Sequence, residues 1–65
     1  DALPISLIHV ELVEGRTKEQ KKQLGEAITK ATVDIVKVPA EAVKVIFVDM
    51  KKDEFMEGGI LRSER

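Results

Sequence analysis

Apolar and polar residues alternate from Leu7 to Val13, with Ile8, Val10 and Leu12 on one side and Leu7, His9, Glu11 and Val13 on the other. A period of two predicts a strand, here with one dry face and one mixed face. Gly15 interrupts the run. Thr17 and Gln20 follow at capping-box spacing, in which a hydroxyl and an amide satisfy orphan groups of a helix's first turn. From Lys18 to Lys37 the period lengthens: Leu24, Ile28, Ala31, Ile35 and Val38 recur at helical spacing, and Ala27 widens the stripe. That stripe predicts an amphipathic helix over 17–37, with Lys21, Lys22, Glu26, Thr29 and Lys30 on its polar back. Gly25 within it costs about 1 kcal/mol relative to alanine, which predicts a close packing contact at that position. Pro39 is expected to end the helix.

Val43 to Met50 predicts a second strand, apolar on both faces: Val43, Val45 and Phe47 against Ile46, Val48 and Met50. A strand dry on both faces belongs in a covered sheet. The tail from Lys51 to Arg65 is polar except for Phe55, Met56, Ile60 and Leu61, and Gly58-Gly59 between those apolar pairs predicts a short hairpin. Strand, helix and strand make one β-α-β unit, an α/β fold with parallel strands and a right-handed crossover, followed by the C-terminal hairpin. One helix covers only one face of a two-stranded sheet. The other apolar face therefore predicts assembly into an oligomer.

Sixty-five residues make a single domain, with 1–6 as an extension ahead of the first strand. A chain so short buries only about 60% of its unfolded surface, which again favours association. Eleven basic against twelve acidic residues argue against a nucleic-acid or anionic-membrane partner. The two aromatic residues, Phe47 and Phe55, are too few for a base-stacking platform. Without cysteine, disulfides and thiolate metal sites are excluded, and the single histidine, His9, makes a zinc site improbable. No cofactor is expected. No apolar run approaches the ~20 residues of a membrane span and no signal peptide opens the chain, so the expected address is the cytoplasm.

A few residues carry candidate chemistry. Arg16 stands between a glycine and a helix start, where a guanidinium beside the positive helix end can fork a carboxylate. Its other reading is a solvated loop arginine paired with Glu14 or Glu19. Lys44 is either a strand-end lysine reaching to water or, beside Arg16 at one edge of the sheet, half of a basic pocket for a dianion. His9 reads as a half-buried, hydrogen-bonded histidine. Phe55 is core or the wall of a pocket. Ser6 has no base placed to make it a nucleophile.

In order and ungapped spacing, several segments together resemble the short 4-oxalocrotonate tautomerase type of the tautomerase superfamily, from Leu7 to about Ser63. They are Leu7-Ile8-His9-Val10-Glu11-Leu12-Val13, Glu14-Gly15-Arg16-Thr17, Glu19-Gln20-Lys21, Val38-Pro39, Val43-Lys44-Val45-Ile46, Asp49-Met50, Phe55 and Gly58-Gly59. The resemblance implies an isomerase of the kind used in aromatic hydrocarbon catabolism, acting without cofactor on a small 2-hydroxydienoate or α-keto acid. It also implies a hexamer built as a trimer of dimers, with like or unlike subunits. In that family an N-terminal proline is the base, arginines hold substrate carboxylates, and an aromatic residue keeps the pocket dry. Carried over, Arg16 binds a carboxylate, Lys44 stands where the family has an arginine, and Phe55 walls the pocket.

The register places Ser6 at the position of the proline base, and the nitrogen of an internal serine is an amide, not a base. Pro4 would serve only in a chain cleaved before it, and the amine of Asp1 would stand several residues from the pocket. Lys44 loses the planar fork of arginine. Glu57 adds a negative charge that is expected to repel a dianionic substrate. These departures keep two other readings alongside an active tautomerase: a catalytically silent subunit of a hetero-oligomer, and a binding module alike in fold alone.

Overall fold

The computed structural model describes residues 5–64; the expectations for Asp1 and Pro4 lie outside them. Strand β1 (Ser6–Val13) leads into helix α1 (Lys18–Val36), and strand β2 (Val43–Met50) follows a short 3-10 turn at Ala40–Ala42. β1 and β2 pair in parallel, from Ser6 opposite Val43 to Val13 opposite Met50. The chain then forms a hairpin of β3 (Met56–Glu57) and β4 (Ile60–Leu61), with Met56 opposite Leu61 and Glu57 opposite Ile60. Gly58 and Gly59 make its two-residue turn at φ of 60° and 82°, the left-handed backbone that such a turn requires.

The helix starts as its capping residues dictate. The Thr17 hydroxyl accepts from the Gln20 amide at 3.1 Å, and the Gln20 side chain accepts from the Thr17 amide at 2.9 Å. Its other end differs from expectation. Lys37, not Pro39, stops it: Lys37 turns left-handed at φ 67° and donates its N–H to the Val33 carbonyl at 3.1 Å. Pro39 then opens the 3-10 turn.

The helix also packs on a different face from the one its apolar stripe predicts. Toward the sheet it turns Lys21, Gly25, Ile28, Thr29, Thr32 and Val33, which are half-buried, while Leu24, Ala31 and Ile35 are exposed, Ile35 at 78%. At 3.6 residues per turn this is a rotation of roughly a quarter turn, with Ile28 common to both faces. Three local features make the polar side packable. Thr29 and Thr32 donate their hydroxyls to the carbonyls of Gly25 and Ile28, both at 2.8 Å, so no donor is stranded. Lys21 pairs with Asp49 of β2 at 2.5 Å. Gly25 lies against the ring of Phe47: a Cβ built there would stand 3.4 Å from Phe47 Cε2.

Among the described residues only Val38, Ala42 and Val43 are buried, with Ile8, Val33 and Val45 packed on them. Burial on β2 alternates, with Val45 and Phe47 half-buried toward the helix while Lys44, Ile46 and Val48 are exposed on the opposite face. On that same outer face β1 exposes Leu7, His9 and Glu11, with Leu7 61% exposed. His9, opposite Ile46, is thus an exposed residue rather than a half-buried one. Among the described residues, the outer sheet face and the helix stripe are large apolar surfaces left uncovered.

Candidate active site

Where β1 ends, Gly15 adopts φ 117°, a conformation that a side chain would strain, and so swings the chain out of the sheet into α1. The Glu14 amide still donates to the Met50 carbonyl at 2.7 Å, which ties this exit to the end of β2. Arg16 leaves the turn as an exposed side chain. Among the described residues it makes no ion pair, and Glu19 instead accepts from the Gln23 amide at 3.1 Å. Arg16 is thus a solvated loop arginine, as its other reading had it, but without the expected pairing to Glu14 or Glu19.

The hairpin folds back toward the same corner. The Arg62 amide donates to the Phe55 carbonyl at 2.8 Å, continuing the pairing of β3 and β4 by one step. Phe55, Glu57, Ile60 and Arg62 consequently share one side of the hairpin, as the alternation of side chains requires. Arg62 Nη1 lies 3.7 Å from Glu57 Oε1. Between the hairpin and the strand ends is a cleft of about 850 Å³, lined on the cationic side by Arg16, Lys52 and Arg62 and on the apolar side by Leu12, Val13, Met50 and Phe55. Glu11 and Glu14 also reach its wall. Three cations beside an aromatic ring suit a small carboxylate with an apolar or conjugated body.

Arg16 and Phe55 are thus brought together. Ser6 and Lys44 are not with them. Ser6 opens β1 and Lys44 lies opposite Leu7, whereas the cleft begins at the other end, where Val13 meets Met50. Six residues of strand from Lys44 to Met50 span roughly 20 Å. The expected basic pocket of Lys44 and Arg16 at one sheet edge does not exist within one chain, because in a parallel pair the starts of both strands share one end. Lys52 and Arg62 were missed by sequence reasoning. A signal for Arg62 was present: a two-residue turn at Gly58-Gly59 puts 56 opposite 61 and so 55 opposite 62. Among the described residues no three His, Asp or Glu side chains gather as a metal site would need. No helix among them is long and apolar enough to cross a membrane.

Residues 7–64 match the family profile described as Tautomerase enzyme. The chain belongs to the tautomerase family. A relative named Probable tautomerase, from Lactiplantibacillus plantarum, is 36% identical over 58 residues, 89% of this chain and 91% of its own. Among solved tautomerase structures, TomN, a 4-oxalocrotonate tautomerase homologue in the tomaymycin biosynthetic pathway, matches with a TM-score of 0.87 at 39% identity, over 91% of each chain. A heterohexamer 4-oxalocrotonate tautomerase from Chloroflexus aurantiacus matches with a TM-score of 0.86 at 30% identity, over 92% of this chain and 97% of that one. The family resemblance carried by Glu14-Gly15-Arg16-Thr17 and the segments around it is borne out, and so is the β-α-β fold it implied.

Proposed function

We propose that this chain is a subunit of a cofactor-independent keto–enol tautomerase for a small 2-hydroxydienoate or α-keto acid, in an oligomer whose active sites form between chains. The observation that carries this reading is the separation of the two half-sites. Arg16 and Phe55 line one cleft at the end of the strand pair, while Ser6 and Lys44 stand at the opposite end. Contact between the unlike ends of neighbouring subunits would unite them. The uncovered apolar faces supply the surface for such contact, and a hexamer of like subunits is the simplest assembly that the family likeness supports.

In the united site Arg16 holds the substrate carboxylate and draws electron density along the conjugated system as the enolate forms. Phe55 limits water, which strengthens those charge interactions. A base at the start of β1 takes the enol proton and returns it to carbon, so the substrate is isomerised with no change in electron count. Ser6, following Ile5, offers only a peptide nitrogen there. A chain beginning with proline in place of Ser6 is therefore expected to convert enol to ketone faster than buffer does, followed by ultraviolet absorbance. No acceleration by an intact oligomer of that chain overturns the assignment. Ser6 itself favours a second reading, a silent subunit beside a partner that carries the base. Native mass spectrometry of protein from its source decides between them: a homo-oligomer without a second chain removes this reading.

A further inference from the structure

We propose that Arg62 is a second carboxylate-anchoring residue of the same site, and that it sets a preference for substrates with two anionic groups. The proposal rests on the tautomerase reading and adds a specificity determinant that neither the sequence motifs nor the family likeness indicated. Its geometry begins in the backbone. The Arg62 amide is bonded to the Phe55 carbonyl, and the hairpin fixes both residues by the pairing of Glu57 with Ile60 and Met56 with Leu61. Arg62 is therefore as firmly rooted as the ring that walls the cleft, and its side chain lines that cleft with Arg16.

The partner of Arg62 gives the device its selectivity. Glu57 stands 3.7 Å away, and both side chains are 48% exposed. An ion pair so long and so wet is weak. A guanidinium has five donors in a planar fork, and one distant carboxylate oxygen does not saturate them. A substrate carboxylate in the cleft can take a bidentate position, where the bond is shorter and stronger. Glu57, paired with Arg62 beside the cleft, acts as its counter-charge, and the expected repulsion of dianions by Glu57 is muted by Arg62. Glu11 and Glu14 on the cleft wall repel anions, and the guanidiniums of Arg16 and Arg62 are what offset that repulsion for a ligand with two carboxylates. Lys52 lines the same cleft, but an ammonium is a point charge without the fork.

The test uses the full 65-residue chain and two unreactive six-carbon probes, adipate with two carboxylates and hexanoate with one, titrated by calorimetry into assembled protein. Arg62→Gln is expected to weaken adipate about tenfold or more and leave hexanoate within about twofold. Arg62→Lys should recover part of the loss. Glu57→Gln, which releases Arg62 and removes a negative charge, should tighten adipate by about two- to fivefold and so shifts the ratio the other way, even if the arginine variants fail to assemble. An adipate-to-hexanoate ratio unmoved in these variants overturns the proposal, whether both affinities fall together or neither does. Arg16→Ala separates this from failure of the function itself. Weakening of both probes by that variant keeps the tautomerase site while Arg62 is dropped. Arg16→Ala without effect, or a native chain that binds neither probe, overturns both.

Discussion

The two ends of the β1–β2 pair are built on opposite plans. At the Arg16 end the chain completes its own architecture: Gly15 turns it out of the sheet, Thr17 and Gln20 cap α1, and Lys21 pairs with Asp49. There the hairpin returns to set Phe55 and Arg62 beside Arg16. At the Ser6 end the strand starts and the 3-10 turn hold the buried cluster of Val38, Ala42 and Val43, but the described residues form no comparable cationic cleft there, and Lys44 is exposed opposite Leu7. A parallel pair makes part of this asymmetry unavoidable, since the exits of both strands lie at one end, while the crossover helix runs back along the sheet to the start of β2. The lesson is that a β-α-β unit this small sets the two candidate half-sites at opposite ends, so that under the proposed function the second half comes from another copy.

The most severe way to break the comparison is to keep both ends apart. Ile46→Asp places a charge in the middle of the exposed apolar face, away from either end. In a chain that begins with proline at position 6, it is expected to reduce native mass to that of smaller species and to lower turnover at least ~100-fold, the scale of losing general-base catalysis. Full activity from a monomer of this variant would mean that one chain holds a complete site.

A milder intervention asks whether the unlike ends meet. Arg16→Ala alone should weaken carboxylate binding by about ten- to a hundredfold, the loss of charge-assisted hydrogen bonds in a partly desolvated site. Lys44→Ala should weaken it by less, since an ammonium has no fork. Made in chains that begin with proline at position 6, then dissociated, mixed and reassembled, the two variants should regain activity above either alone, because some sites then combine an intact Arg16 from one chain with an intact Lys44 from another. Mixtures no more active than the average of the two would place both residues' contributions in the same chain and end the two-ended reading.

These ends also differ in how far the sequence disclosed them. At the Arg16 end the exit turn and the helix cap were legible, though Lys52 was not: a glycine after an alternating run, and a hydroxyl and an amide three residues apart, each have one dominant structural use. The hairpin at Gly58-Gly59 was legible for the same reason, and Arg62 was missed only because its position follows from pairing across the turn rather than from a motif. What could not be read was direction. Periodicity located an apolar stripe on α1 but not which sector would meet the chain's own sheet. The stripe of Leu24, Ala31 and Ile35 is free, and the sector that packs contains two threonines and a lysine. Hydropathy ranks those as polar, but their hydroxyls bond the preceding turn and the lysine meets Asp49. Of the two readings of Lys44, the exposed strand-end lysine is the one observed; the pocket beside Arg16 stayed open in the sequence because sequence distance says nothing of which strand end a residue occupies until the register is known. Arg16 thus lines the candidate cleft and Lys44 does not, while the family match spans both ends, over residues 7–64.

The smallest effect belongs midway between the ends, at Gly25. Alanine gains about 1 kcal/mol over glycine in a helix interior. Against that stands the ring of Phe47, 3.4 Å from the new methyl at Cε2 and 3.5 Å at Cζ, which is contact without overlap. The Thr29 hydroxyl keeps its bond to the residue-25 carbonyl, so no polar group is orphaned. Gly25→Ala should therefore raise the thermal midpoint by up to about 4–8 °C, the shift that 1 kcal/mol gives a domain of this size. Probe affinities at the cleft should not move. Gly25→Val should reverse the sign, since a branched side chain forces the ring aside and is disfavoured in the helix. A destabilised Gly25→Ala would show that Phe47 cannot yield even a few tenths of an ångström. A change in adipate affinity with it would show that the Arg16 end is mechanically coupled to the helix–sheet contact, and the two ends could then no longer be treated as separate half-sites joined only by assembly.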